Sequence, residues 1–190
     1  MAGFGLIPFR SRSVANWSSR ITRYKKEASV ILGIGDPVIL AGGSETTEHA
    51  NSGIPLVTRA TADLDANTLV GVVVGRDPDP SDLTKRGFLA ADKGYVYVLD
   101  HRDVEFIIQE DGDTTPLAAA AVGTFADFAT IGNANTSTWN STVQLDSSTA
   151  TTDGDLYIVE LLQRADNAIM ATTASTLGLW VVMMGVPQFQ

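Results

Sequence analysis

The sequence predicts an all-β chain: a single β-barrel or jelly-roll-like β-sandwich body over residues 28–190, behind an extended basic N-terminal arm over residues 1–27. Three observations lead there. Short β-branched runs recur at roughly even spacing with Gly, Pro and Asp between them, the pattern of a sandwich or barrel. No stretch of ten or more residues sustains a helical period. Charge is also partitioned along the chain. Arg10, Arg12, Arg20, Arg23, Lys25 and Lys26 are six of its 13 basic groups, and Glu27 is the single acidic group among them. Six against one make the segment +5, and seven against 21 make the remainder −14, for a net −9. A basic segment ahead of an acidic body points to an acidic partner surface.

Residues 1–27 interleave those cations with Phe4, Leu6, Ile7, Phe9, Trp17, Ile21 and Tyr24, without a sustained period. A solvated tail would lack the aromatics. Arg and aromatic groups are enriched at binding hot spots, so an arm that orders on a partner is expected ahead of one folded back on its own body. From Ala28 the texture changes. Val30-Ile31-Leu32 leads into the turn-prone Gly33-Ile34-Gly35-Asp36-Pro37. A strand at Val38-Ile39-Leu40 is expected to end at Ala41-Gly42-Gly43-Ser44, and residues 44–53 read as a loop. Residues 56–60 are a candidate strand. Leu69-Val70-Gly71-Val72-Val73-Val74-Gly75 is the strongest, its near-continuous apolarity implying burial on both faces.

Residues 76–82, with two prolines and three aspartates, form a surface loop. Strands follow at 95–99 and 104–109, joined by the hairpin-length link Asp100-His101-Arg102-Asp103. The Ala-rich residues 117–121 allow one short helical turn. A strand end at 143–146, a strand at 156–162, a turn at Asp166-Asn167-Ala168 and a closing strand within 177–186 complete the chain.

Composition bounds the function. A body of this size buries roughly two thirds of its unfolded surface and needs no staples. There is no cysteine, and the two histidines are His49 and His101, which excludes disulfide frameworks, thiolate metal sites and histidine-rich metal sites. No apolar run approaches a membrane helix, and the first residues do not read as a signal peptide, consistent with synthesis in a cytoplasm. A pI near 4.5 argues against general nucleic-acid binding.

Candidate chemistry is sparse. His101 lies between Asp100 and Asp103 in a turn, where neighbours in sequence do not build a triad. His49 is near Glu45 and Glu48 but has no further nitrogen or sulfur ligand. Asp77, Asp79 and Asp82 lack the spacing and closing Glu of an EF-hand. Gly33-Ile34-Gly35 precedes Asp-Pro rather than a helix, so it is not a dinucleotide fingerprint. The sequons at Asn16, Asn135 and Asn140 mean nothing without secretion. No catalytic residue, metal or cofactor is expected, and an enzyme, as a β-sandwich hydrolase, ranks last.

Several stretches occur together in one order: Gly3-Phe4-Gly5-Leu6-Ile7-Pro8-Phe9-Arg10, Gly35-Asp36-Pro37-Val38, and Val70-Gly71-Val72-Val73-Val74-Gly75. Then come Tyr95, Val96, Val98, Asp100, Asp103, Val104, Phe106, Gln109, Asp111 and Gly112, followed by Val122-Gly123, the polar residues 132–142, Leu145-Asp146-Ser147-Ser148 and Asp166-Asn167-Ala168. In this order the chain resembles the decoration (cement, or head-stabilising) proteins of tailed bacteriophages over nearly its whole length. It departs at Leu179-Trp180-Val181-Val182-Met183-Met184, where a polar ending is commoner.

The resemblance implies a structural protein on the outer surface of the virion capsid. It would bridge neighbouring major capsid subunits of an HK97-like shell and stabilise the expanded, DNA-filled head. Phe4, Leu6, Phe9, Arg10, Arg12, Trp17, Arg20, Arg23, Tyr24, Lys25 and Lys26 are the expected capsid-binding residues. A homo-oligomer is expected, a trimer ahead of a dimer, with Trp180, Val182 and Met184 as the contact; no nucleic acid or membrane partner is expected. The alternative is a β-barrel host-glycan-binding module displayed on the virion, with its site on loops 76–87 and 132–142 and Trp139 as the stacking aromatic.

Overall fold

The structure, a computed structural model, describes residues 3–13, 16–45, 53–61, 69–113, 116–129, 131–147, 154–164, 167 and 178–185. Over these the chain is all-β. The strands are β1 (Ile7–Ser11), β2 (Ile21–Lys26), β3 (Pro37–Ser44), β4 (Pro55–Arg59), β5 (Leu69–Arg76), β6 (Tyr95–Leu99), β7 (Val104–Gln109), β8 (Phe125–Ala126), β9 (Leu156–Leu161) and β10 (Leu179–Met184). Single 3-10 turns lie at Trp17–Arg20 and Ala119–Ala121, the second within the alanine-rich patch. Among the described residues, no helix is long and apolar enough to cross a membrane.

Five strands form an open sheet in the order β1-β7-β10-β9-β8, and the other five close into a barrel, β2-β4-β3-β5-β6. Closure depends on β2, which pairs antiparallel with β6 on one edge and parallel with β4 on the other. The two sheets pack against each other and divide the apolar side chains into two clusters. One fills the barrel with Tyr24, Leu32, Val38, Val57, Val70, Val73, Phe88, Val96 and Val98. The other lies between barrel and open sheet, joining Leu69, Val72 and Leu99 to Phe106, Ile108, Leu156, Ile158, Trp180 and Val182. Fully burying one such large side chain contributes about 1.5–3 kcal/mol.

Strand β5 explains its own sequence. Leu69 and Val72 face the inter-sheet core while Val70 and Val73 face the barrel, so five successive residues are buried. Three expectations are corrected. The segment 1–27, expected as an extended arm, is built into both sheets: β1 pairs with β7, and β2 closes the barrel. Its apolar groups carry it inward, with Leu6 1 % and Tyr24 4 % exposed. Strand β3 does not end at Ala41-Gly42-Gly43-Ser44 but runs through to Ser44. Gly42 and Gly43 both take positive φ, 76° and 94°, at a register shift against β4, so the glycines bend the strand instead of ending it. The 100–103 link is not a hairpin. β6 has both edges filled by β2 and β5, and β7 by β1 and β10, so the link carries the chain from barrel to open sheet.

Candidate functional site

The basic segment divides into two stretches with different fates. The first enters the fold over a close crossing: Leu6 N–H donates to Gly35 O at 3.0 Å, and Gly5 has φ 73°. A Cβ on Gly5 would stand 2.4 Å from Ser141 Cβ, so only glycine passes here. Phe4 is half-buried at this crossing. β1 then runs along the edge of the open sheet with a register shift between Pro8 and Arg10. The shift leaves Phe9 unpaired in the ladder and turned outward. Phe9 is 40 % exposed and Ile7 45 %, and the Arg10 guanidinium lies 5.2 Å from the Phe9 ring centroid.

Arg10 and Arg12 both donate to Glu105, Arg12 at 2.5 Å, and Arg10 also reaches Glu160 at 2.9 Å. Glu105 is 1 % exposed on β7, directly opposite Arg10. A buried carboxylate needs such cations. The hydrogen bond to Glu105 raises Arg10 above its ordinary pKa. The two arginine side chains remain about half exposed, at 47 % and 51 %.

The second stretch is sequestered. Asn16 caps the 3-10 turn by accepting from Ser18 N–H at 3.0 Å, and Trp17 packs on the inter-sheet core. Arg20 is half-buried. The exposed Arg23 lies 3.8 Å from the Tyr95 ring centroid. Tyr24 donates to Asp100 at 3.0 Å, and burial, with that carboxylate, raises its pKa. Lys25 pairs with Glu45 at 3.1 Å, the two side chains 6 % and 2 % exposed. Lys26 donates to Glu27 O at 2.8 Å and Ala90 O at 3.3 Å, and burial lowers its pKa. Of the residues expected on a partner, Leu6, Tyr24, Lys25 and Lys26 are therefore interior groups. Phe9, Arg10, Arg12 and Arg23 are at the surface, joined by Ile7, which was not among the expected capsid-binding residues.

The expected oligomer contact is also corrected. Trp180, Val182 and Met184 are 1 %, 0 % and 2 % exposed, packed in the inter-sheet core, with Trp180 Nε1 donating to buried Glu110 at 3.0 Å. Their side chains are not available to a second copy.

The other candidates resolve into structure. Among the described residues no group of three or more His, Cys, Asp or Glu is placed to hold a metal ion. Asp79 accepts from Ser81 Oγ at 2.6 Å and from Lys85 at 3.1 Å, and these bonds hold its carboxyl below the usual range. Asp82 accepts from Thr84 Oγ1 at 2.6 Å, and Asp77 from Tyr97 at 2.5 Å. The acidic loop is thus a set of self-capped turns. His101 contacts Asp103 within its turn. His49 and Glu48 lie outside the described residues. Trp139 sits at φ 59° and is half-buried, its ring leaving no room for a Cβ at Gly87. It therefore wedges loop 132–142 against the barrel. Asn167 holds the ends of β9 and β10: it donates to Leu162 O at 2.8 Å and Leu179 O at 2.7 Å, and accepts from Leu179 N–H at 2.8 Å.

A buried carboxylate lies beside the entry of the first stretch. Asp36 is fully buried next to Gly35, which receives Leu6, and accepts from Gly33 N–H at 2.7 Å. Burial raises its pKa to about 6, against the opposing effects of Ser141, the Gly33 N–H and Arg59.

No family model matches the chain, and no curated protein or solved structure matches it.

Proposed function

We propose that the chain is a structural virion protein that binds the outer surface of a tailed-phage capsid and bridges neighbouring major capsid subunits, stabilising the expanded head. The observation that carries this reading is the outer row of β1. Ile7 and Phe9 stand exposed beside Arg10 on a sheet-edge strand, with Arg12 just past its end, in a chain whose net charge is −9. Edge strands are usually protected from pairing with other chains, and among the described residues this one has a neighbouring strand on one side only, beside two large apolar side chains. A partner with an apolar groove rimmed by carboxylates fits it. The ordered set of sequence stretches shared with decoration proteins supports the same reading.

The contact is accordingly a preformed strand rather than an arm that orders on binding, so little conformational entropy is lost at the interface. Several copies held on one lattice gain from effective concentration.

Co-sedimentation with purified expanded shells lacking this chain tests the proposal. Wild-type protein should saturate the shells at a stoichiometry near that of capsid subunits or their symmetry axes. The variant Ile7→Ser/Phe9→Ser should bind at least about tenfold more weakly, as expected for loss of two anchor side chains. Failure of the wild type to sediment with intact expanded shells overturns the reading.

A further inference from the structure

A cavity of about 630 Å³ opens at the end of β4, lined by Ser29, Ile31, Thr58, Arg59, Thr61 and Asn133 among others. Arg59 is the last residue of β4, a strand held on both edges by β2 and β3, so its backbone is fixed. Its Nη1 donates to Asn133 Oδ1 at 2.7 Å and to Ile31 O at 3.3 Å. These two bonds orient the guanidinium and use only Nη1. Nε and Nη2 make no hydrogen bond, and the group no ion pair, among the described residues.

Two other cations with little exposure are neutralised: Lys25 by Glu45, and Arg76 by Asp79 and Asp92. Arg59 keeps the free edge of a planar five-donor fork beside a cavity with three hydroxyl side chains and an apolar wall of Val30, Ile31, Ala90 and Ile131.

We propose that this cavity binds a carboxylate. The CO₂⁻ group forks onto Nε and Nη2 of Arg59, a threonine hydroxyl supplies a further donor, and a short carbon chain lies on Ile131 and Ala90. A planar monoanion matches one arginine, whereas a phosphate dianion would call for a second cation, and among the described residues the cavity lining holds none. The carboxylate can come from a free small acid or from an acidic side chain of a protein. This site is separate from β1 and does not depend on the capsid reading.

The test is a titration of the intact chain followed by backbone amide NMR, with two probes. Butanoate represents a free acid and N-acetylglutamate α-amide an acidic side chain. Saturable shifts at Arg59, Thr61 and Asn133 are expected with at least one probe, and the stronger binder identifies the source. Arg59→Lys, which keeps the charge and loses the fork, should weaken binding about tenfold. Thr61→Val, a surface change that leaves Arg59 in place, should weaken it about threefold. No saturable shift with either probe, equal binding of inorganic phosphate, or unchanged affinity in folded Arg59→Lys overturns the proposal.

Discussion

Strands β1 and β2 come from the same short basic segment and have opposite roles. β1 lies on the rim of the open sheet, its arginines half in water and its apolar groups Ile7 and Phe9 outside. β2 is bonded on both edges, with Tyr24, Lys25 and Lys26 all buried. Similar composition therefore does two jobs. In β2 the cations belong to the architecture of the barrel, while in β1 they hold an edge strand in place and leave its outer row free. What separates the two is access to water and the position of the matching carboxylate, not the number of positive charges.

The comparison is broken most severely at the buried pair. Lys25→Ala removes the cation that pairs with Glu45 in the interior and should destabilise the fold by about 3–5 kcal/mol in urea unfolding. The double change Lys25→Met/Glu45→Leu should recover most of that loss, because both desolvated charges leave together. If Lys25→Ala costs less than about 1 kcal/mol, the pair is not interior in solution.

Next in size is Asp36, beside the crossing where Leu6 bonds to Gly35. Its folded pKa, about 6, lies above the ordinary 3.8. Between these values the folded state holds the proton more tightly than the unfolded chain. Its contribution is therefore most favourable below pH 4 and is lost as pH rises through 6. The difference corresponds to about 3 kcal/mol. Asp36→Asn keeps an acceptor for Gly33 N–H without the charge. It should be more stable than wild type at pH 7–8 and should flatten the change in stability between pH 4 and 6. An unaltered pH profile in this variant would mean that Asp36 is solvated.

On β1 the effects are smaller and asymmetric. Removing Arg10 and Arg12 together strands the buried Glu105 carboxylate and should cost about 1–3 kcal/mol. Glu105→Gln leaves two half-exposed guanidiniums that water can solvate, so it should cost less. Equal costs would contradict the burial of Glu105. Ile7→Ser and Phe9→Ser should each change stability by no more than about 0.5 kcal/mol, since little apolar contact is lost at an exposed site. On the capsid reading, their effect belongs to partner binding.

Which of this was legible in the sequence follows the range of the signals. The run from Leu69 announced β5 and its two-sided burial, because continuous apolarity is a local property. The β-branched and aromatic runs at 95–99 and 104–109 announced two strands, but nothing in Asp100-His101-Arg102-Asp103 tells a hairpin from a crossing between sheets, since partners are chosen by edges that lie elsewhere in the chain. Leu179 to Met184 is apolar at every position, a pattern that suits a subunit contact as well as an interior strand; the packing of Trp180 against Glu110 decides for the interior. Lys25 and Glu45 are 20 residues apart and carry no local sign of their pairing. One signal was available for β1: Glu105 is the one charged residue of β7, flanked by Val104 and Phe106, so it needed a cation, and the N-terminal segment held the surplus. Arg59 offered no signal, because its cavity is assembled from segments that meet only in the fold.

The capsid reading is tested most directly by quantitative mass spectrometry of purified virus particles from cultures that produce this chain. The account predicts copies in numbers comparable to the major capsid protein, as a lattice-bound stabiliser requires. Absence from the particle, or only a few copies per particle, would contradict it.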